Sequence, residues 1–450
     1  MLANSDDKRS MDSKDSPVNA NRFWVIAAAS VPQIFSFWVL SSQLTFSQIV
    51  PDNTLPRPST VTVEDNTYTI DEGTEAGSNL FHSFQNFSVP TGTEAFFNNT
   101  VTVENILTRV TGGSASNIDG SIRANGTANL FLLNPLGLSF GLNARLNIGG
   151  SFLGTTANSI VFENGLEFSA TAPEGQTLLT VSVPIGLQFN GQGENIQVRG
   201  EGHRLRSPEF STIVREDNSG ELDVKPGRTL ALVGGNTLLD GAILTAESGR
   251  IELGGVEEGF VRSNVQGEHQ WTFDYEGVSR FRDVRLVRQS SVDVSGTEIG
   301  SIQMVGRQIV LSDGSIALLQ NQGTQTFGDL RVRASESVTL TGTTPDESFA
   351  TNLLQATTGS GRAGNIEITT SQLTVREGAQ VFNQTIGEGI GGNIDVRASE
   401  NIEVIGLSPV APLVRSIIAT IGFESRSAGN IAISTRHLSV RSGGNLASTT

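Results

Sequence analysis

The second half of the chain repeats a short signature of a glycine, a small polar residue and an aliphatic residue. The glycines of successive copies are 28, 36, 28 and 37 residues apart, so a short unit alternates with a longer one. Residues 332–342 also align with 396–406 at an offset of 64. The five copies are Gly300-Ser301-Ile302, Gly328-Asp329-Leu330, Gly364-Asn365-Ile366, Gly392-Asn393-Ile394 and Gly429-Asn430-Ile431.

Each repeat contains an alternating strand such as 365–369 and a second one near 373–375. One unit cannot bury its apolar side alone, whereas stacked parallel coils bury a continuous core. We therefore predict an all-β, right-handed parallel β-helix, in which Ile366, Ile394 and Ile431 form one internal ladder. An antiparallel sandwich would also accommodate the alternation, but the matched spacing and residue identities favour the coil.

The chain divides into four segments by sequence character. Residues 1–47 resemble an export signal, and 48–255 carry long apolar stretches without a clear period. Residues 256–283 connect this part to the periodic segment 284–450. The last repeat copy reaches the final residue without a capping element, although solenoids usually need polar caps. We therefore expect the chain to be truncated relative to a longer exported protein.

The amino-terminal segment has the order of a secretory signal. An extended polar stretch precedes an apolar run at 23–40, and the small residues Thr45 and Ser47 precede a plausible cut before Gln48. The run of 18 residues could alternatively remain as a membrane anchor. Polar residues and a proline interrupt it, which favours cleavage.

Composition excludes several functions. The chain has no cysteine, so disulfides, thiolate metal sites and cysteine nucleophiles are impossible. Its formal charge is −16, and Lys225 is the only lysine after the signal. An acidic surface repels phosphate backbones, so we expect no nucleic-acid partner.

No residue pattern indicates catalysis or a cofactor. Histidines are scattered without metal-ligand spacing, and no Gly-x-Ser-x-Gly elbow or tandem calcium-binding nonapeptide occurs. Carboxylates sit in turn-like segments and are predicted to be solvated. We predict no catalytic residue, no metal and no cofactor. The histidines are His82, His203, His269 and His437.

Four stretches after the signal carry a family resemblance: 48–55 (QIVPDNTL), 79–99, 118–151 and 230–253. In this order they resemble the secretion domain of filamentous-haemagglutinin-type exoproteins, in the form common among cyanobacteria. The resemblance implies two-partner secretion, with an amino-terminal secretion and capping domain at 48–255. It also implies a partner, an outer-membrane barrel transporter with periplasmic binding modules, through which the chain passes unfolded before folding outside the cell.

The family's Asn-Pro-Asn-Gly-Ile motif corresponds to Asn134-Pro135-Leu136-Gly137-Leu138, where Leu136 departs from the family's asparagine. The family's other asparagine-proline motif has no full match, and Asn98-Asn99 is a loose stand-in for it. The resemblance makes these residues a candidate secretion motif. Physically, Asn-Pro followed by glycine also favours a tight turn, so a corner of the coil is the alternative interpretation.

The resemblance implies a non-enzymatic exoprotein, exported through the Sec route to the periplasm and then released or attached to the outer cell surface. Its repeats are expected to act as an adhesin or haemagglutinin with a host-cell, matrix or glycan receptor. The alternative is a β-helical carbohydrate-active enzyme that acts on polysaccharide. A cluster of three or more acidic side chains on one outward face would favour that enzyme.

Overall fold

The structure is a computed structural model that describes residues 48–450 apart from 174–179, 208–211, 216–217, 219, 266–269, 347 and 424–426. The signal and apolar run predicted within 1–47 lie outside the described residues. All regular elements in the described part of the chain are strands. Among these residues no helix is long and apolar enough to cross a membrane.

The first eighteen strands are β1 (Ile49–Pro51), β2 (Ser59–Glu64), β3 (Thr67–Glu72), β4 (Thr74–Ala76), β5 (Asn79–Phe87), β6 (Glu94–Phe97), β7 (Asn105–Val110), β8 (Ser116–Ile118), β9 (Ser121–Ala124), β10 (Asn129–Leu133), β11 (Leu138–Phe140), β12 (Arg145–Asn147), β13 (Phe152–Thr155), β14 (Ser159–Phe162), β15 (Glu167–Ser169), β16 (Pro184–Asn190), β17 (Ile196–Arg199) and β18 (Leu222–Asp223). The others are β19 (Thr229–Gly234), β20 (Thr237–Asp240), β21 (Ile243–Thr245), β22 (Arg250–Asn264), β23 (Thr272–Phe281), β24 (Val284–Val287), β25 (Ser291–Asp293), β26 (Ser301–Ser312), β27 (Ile316–Asn321), β28 (Leu330–Thr341), β29 (Asn352–Thr357), β30 (Ile366–Arg376), β31 (Gln380–Thr385), β32 (Ile394–Ile405), β33 (Ile417–Gly422), β34 (Ile431–Ser434), β35 (His437–Arg441) and β36 (Asn445–Thr449).

Three parallel ladders wind these strands into a coil with three faces. The first face stacks β5, β7, β10, β13, β19, β22 and the leading parts of β26, β28, β30 and β32, then β34. The second stacks β8, β11, β17, β20, β24 and the trailing parts of the same long strands, then β35. The third stacks β3, β6, β9 and β12, and then β18, β21, β25, β27, β29, β31, β33 and β36. The fold is therefore a parallel β-helix, as predicted, and not an antiparallel sandwich.

One aliphatic or aromatic residue from each coil enters the interior of the first face in strict register. The ladder contains Ile366, Ile394 and Ile431, which confirms the internal row predicted from the repeats. Complete burial of such a side chain contributes about 1.5–3 kcal/mol before the opposing loss of conformational entropy. It runs Leu80, Ile106, Leu130, Phe152, Leu230, Ile251, Ile302, Leu330, Ile366, Ile394 and Ile431.

The glycines of the repeated signature stand where the third face turns back to the first. At Gly364, Gly392 and Gly429, an added Cβ would overlap the carbonyl oxygen of the signature glycine one coil earlier. Glycine is therefore required by close approach of two backbones. This connection has seven residues from β25 to β26 and eight in the four later coils, from β27 to β28, β29 to β30, β31 to β32 and β33 to β34.

Coil length varies at a different corner, between the second and third faces. Three residues connect β26 to β27 and β30 to β31, whereas 342–351 connect β28 to β29 and 406–416 connect β32 to β33. These two long loops produce the alternation of short and long repeat units seen in the sequence.

An antiparallel sheet covers part of the outer side of the first face. Its strands pair in the order β15, β14, β16, β22 and β23. Beneath it lies a second apolar core, in which the Trp271 ring stacks on Phe131 with centroids 5.0 Å apart. Residues 256–283, which separate the two parts of the sequence, supply most of the β22–β23 hairpin.

The outward row of the first face changes character where the cover ends. Under the cover it is apolar, and from β22 onward it becomes polar or charged. The row runs Phe81, Leu107, Phe131, Leu153, Ala231, Glu252, Gln303, Arg331, Glu367 and Asp395.

Candidate secretion motif and its surroundings

Asn134 occupies the corner between the first and second faces, directly after β10. Its side chain is fully buried. Its Nδ2 donates to the carbonyl oxygen of Ser114 at 3.1 Å and to Ser116 Oγ at 3.0 Å, both in the preceding coil. Its Oδ1 accepts a hydrogen bond from the backbone N–H of Leu136 at 3.0 Å, an Asx-type turn. Asn134 therefore shapes its own turn and ties it to the coil below.

The remaining motif residues continue the same corner. The N–H of Gly137 donates to the Asn134 carbonyl at 3.1 Å, and Gly137 has a φ of +114°, which favours glycine. The Pro135 carbonyl accepts the backbone N–H of Glu194 at 2.9 Å, and the N–H of Leu138 donates to the Asn195 carbonyl at 3.1 Å. Only the Leu136 side chain is substantially exposed, at 40%.

Asn98 and Asn99 lie at a different corner, where the third face turns into the first. Asn99 is buried, accepts the backbone N–H of Asn125 through Oδ1 at 2.9 Å and donates to the Asn125 carbonyl at 3.1 Å. Asn98 Nδ2 donates to Asp71 Oδ1 at 2.8 Å. The two parts of the candidate motif thus belong to separate corners of neighbouring coils.

A row of stacked asparagines marks the start of the first face. Asn129 Nδ2 donates to Asn105 Oδ1, and Asn105 Nδ2 donates to Asn79 Oδ1, each at 3.0 Å. Asn129 Oδ1 accepts the backbone N–H of Ser151 at 2.9 Å, which extends the row by one coil. These amides register the amino-terminal coils against one another.

Sequence reasoning missed a buried polar network that ties the amino-terminal segment to the coil. Arg109 is fully buried, and its Nε donates to Ser83 Oγ at 2.9 Å. Its Nη atoms donate to the Ser169 carbonyl at 2.6 Å and to Thr54 Oγ1 at 3.0 Å. The guanidinium also lies over the Phe168 ring, 4.5 Å from its centroid. Arg109 therefore joins 48–55, the first coils and the antiparallel cover.

Asp52 supplies the negative charge of this network. Burial raises the pKa of its carboxyl group, but hydrogen bonds from Thr111, Thr54 and Ser83 outweigh burial, so the pKa lies below its ordinary 3.8. Burial lowers the pKa of the Arg109 guanidinium to about 10, opposed by the charge of Asp52. Both groups are therefore ionised at neutral pH. A lone arginine within the apolar strand β7 was the sequence signal for this network.

The described histidines do not form a reactive group. His82 points into the core of the first coil, where Ser59 Oγ lies 2.8 Å from its Nδ1 and burial lowers its pKa to about 3. His203 packs outside the third face, and His437 lies on β35. Within the described ranges no group of three or more histidine, aspartate and glutamate side chains could hold a metal ion. His269 lies outside the described residues.

A buried trio lies beside the edge of the apolar cover. Glu252 is fully buried, accepts the Tyr275 hydroxyl at 2.8 Å and pairs with Arg250 at 2.8 Å. Burial raises the pKa of Glu252, while the charge of Arg250 and the hydrogen bonds from Tyr275 and Arg250 oppose that rise. With one carboxylate, this trio lacks the second carboxylate that glycoside hydrolysis usually requires.

The coil begins with the antiparallel pairs β1–β5, β2–β3 and β4–β5, and it carries the antiparallel cover and the buried Arg109–Asp52 network. The model of the TPS secretion domain family matches residues 47–304. No curated protein matches the chain. A solved structure that is similar in fold is the crystal structure of the HMW1 secretion domain from Haemophilus influenzae, with 14% identity over 87% of this chain and 97% of that chain and a TM-score of 0.49.

The chain belongs to the TPS, or two-partner secretion, family of secretion domains. It is accordingly a two-partner exoprotein, exported to be secreted or held at the cell surface, and its partner is an outer-membrane transporter. This family is one of exported proteins and not a family of enzymes.

Proposed function

We propose that this exoprotein is a non-enzymatic adhesin, whose first part directs export and whose repeats present a binding surface. The observation that carries this proposal is the change along the outward row of the first face. Leu153 lies under the antiparallel cover, whereas Arg331 and Glu367 stand in the same row on an uncovered face. Uncovered charged and polar side chains on a regular rod suit recognition of a large surface such as a cell, matrix or glycan.

The proposed export route has three parts. Residues 1–47 act as a Sec signal, 48–255 form the secretion domain, and periplasmic binding modules of the transporter recognise that domain. We propose that Asn134–Leu138, with Asn98 and Asn99, contribute to recognition. Asn134 is fully buried in the folded coil, so the transporter would read this motif only before the coil has closed.

Purified 48–450 should bind one or more members of a panel of cells, matrix proteins and glycans, in a saturable manner. Reversal of charge at Arg331 and Arg397, both on the uncovered first face, should weaken that binding, while the loss of each exposed ion pair should cost at most about 1 kcal/mol of stability. Reversal at Arg57, near the amino-terminal end, is the matched control. Failure of the protein to bind any member of the panel would remove the adhesin role and leave the export role intact.

The same preparation tests polysaccharide turnover. Release of reducing ends or unsaturated products from any glycan of the panel would replace the adhesin proposal with a carbohydrate-active enzyme.

A further inference from the structure

Of the residues between β17 and β18, the structure describes two stretches, 202–207 and 212–215, that contact later coils along the outside of the third face. These two stretches are named here the strap. The backbone N–H of His203 donates to the Gln289 carbonyl at 2.8 Å, and His203 Nε2 lies 2.8 Å from the Gly314 carbonyl oxygen. The strap therefore begins by binding backbone groups from coils much later in the sequence.

In the second half of the strap, the side-chain amide of Gln320 pairs with the backbone of Ile213, as the backbone of a neighbouring strand would. Its Oε1 accepts the N–H of Ile213 at 3.0 Å, and its Nε2 donates to the Ile213 carbonyl at 3.4 Å. Arg215 Nε donates to the buried carboxylate of Asp293 at 2.5 Å. Within the strap, Arg206 and Val214 exchange two backbone hydrogen bonds of 3.2 and 2.9 Å. His203, Ile213 and Arg215 thus hold the strap to later coils, whereas Arg206 and Val214 pair with each other within it.

A small apolar core lies under the strap. Leu205 and Ile213 are 6% and 5% exposed and belong to one cluster with side chains of β27, β29 and the 342–351 loop. The His203 ring meets Phe349 edge-on, with centroids 4.8 Å apart. The cluster members outside the strap are Ile316, Leu318, Phe349 and Leu354.

Gln289 and Asp293 lie within the matched TPS domain, but Gly314, Gln320 and the apolar partners of the strap lie beyond it. The domain ends at residue 304, whereas Gln320 is separated from Ile213 by 107 residues. Phe349 and Leu354 are still later in the chain. A secretion domain without the following coils would leave Leu205 and Ile213 uncovered, which forfeits about 25 cal/mol for each Å² of apolar surface returned to water.

We infer that the outer side of the third face across β25, β27 and β29 is a docking surface whose partner is the strap of the same chain. The strap closes only after residues through Leu354 have left the transporter and coiled. Closure then joins the secretion domain and the first repeats into one folding unit. The inference rests on family membership and not on the adhesin proposal, since it concerns contacts within the chain.

Refolding of unfolded 48–450, followed by pulsed hydrogen exchange and mass spectrometry, tests the order of closure. Amides of 203–207 and 212–215 should become protected no earlier than those of β29, although β17 lies only a few residues before the strap. Protection of the strap together with β17, before β29 is protected, would overturn the inference.

Two variants test the docking surface in the full chain at equilibrium. Gln320→Leu keeps the side-chain volume but removes both bonds to Ile213, and Phe349→Ala removes the ring against His203. Each should raise the exchange rate of strap amides at least tenfold while β17 and β29 keep their protection. Val332→Ala, which opens a cavity inside the coil away from the strap, is the matched control. Equal exchange of the strap in all three variants and the parent would show that these contacts do not hold it.

Discussion

Two hydroxyl groups connect the guanidinium of Arg109 to the carboxylate of Asp52. Ser83 Oγ accepts a hydrogen bond from Arg109 Nε at 2.9 Å and donates to Asp52 Oδ2 at 2.8 Å. Thr54 Oγ1 makes the equivalent connection on the other side. The amino-terminal segment, the first two coils and the antiparallel cover are therefore held by one charged network.

Asp52→Asn should destabilise the protein by about 1.5–3 kcal/mol, the scale of hydrogen bonds to charged groups. Because hydrogen bonding holds the Asp52 pKa below 3.8 in the folded state, its contribution is present above that value and declines as the pH falls through it. Urea unfolding of the variant and of Asp65→Asn, a change in an exposed turn, measures the difference. Equal stability of the two variants at neutral pH would contradict the prediction.

Stability should also fall between pH 6.5 and 5 because of His82. Its folded pKa of about 3 lies below the ordinary 6.5, since burial disfavours the cation. The unfolded chain therefore binds a proton at a pH where the folded chain does not, and stability is lost as the pH drops below 6.5. The expected loss from His82 is about 2 kcal/mol at pH 5. Urea unfolding at pH 6.5 and pH 5 measures this loss of stability. The loss should disappear in His82→Leu and persist in His437→Leu.

The internal ladder predicts a strong contrast between neighbouring residues. Ile366→Asp and Ile394→Asp each place an unpaired charge between coils and should cost several kcal/mol. Glu367→Lys faces outward and loses an ion pair with Arg331 whose side chains are 37% and 48% exposed, so it should cost at most about 1 kcal/mol. Thermal unfolding of the three variants and the parent measures these losses of stability. Equal losses in all three variants would show that the inward and outward sides are wrongly assigned.

Tyr275→Phe tests the trio beside the apolar cover. Removal of the hydroxyl leaves Glu252 Oε1 without the bond it accepts at 2.8 Å, in a position with no access to water. We expect a loss of about 1–3 kcal/mol, measured by urea unfolding. Tyr68→Phe, in a half-buried position, is the control and should change stability by less.

Export and folding can be separated at the candidate secretion motif. Asn134→Ala removes three side-chain hydrogen bonds at a buried corner and should lower the free energy of unfolding by about 1–3 kcal/mol. This loss is expected whether or not the transporter recognises Asn134. Leu136→Ala changes an exposed side chain and should leave stability unchanged. If the transporter reads the motif, the second variant should still lower secretion in cells that express the matching transporter. Normal secretion of Leu136→Ala at parental stability would favour the corner as the only role of this residue.

The repeats could be predicted from sequence because their information is local. Glycine spacing and alternating aliphatic residues placed Ile366, Ile394 and Ile431 correctly, since each coil obeys the same steric rule. The antiparallel cover was not predicted, because β16 pairs with β22 across an insertion that carries no period. The strap was missed for the same reason, since nothing near Ile213 indicates a partner at Gln320. Asn134 was correctly placed in a corner, but its complete burial depends on the coil beneath it.

The corner between the second and third faces offers an opportunity for engineering. From β26 onward its connections range from three residues to eleven, while the glycine-lined connection between the third and first faces keeps eight residues from β27 onward. The differences between coils of this one chain show that the corner accommodates added residues. Foreign peptides grafted between β26 and β27 and between β30 and β31 should therefore be displayed two coils apart on an exported scaffold, at a distance set by the rise of the coil.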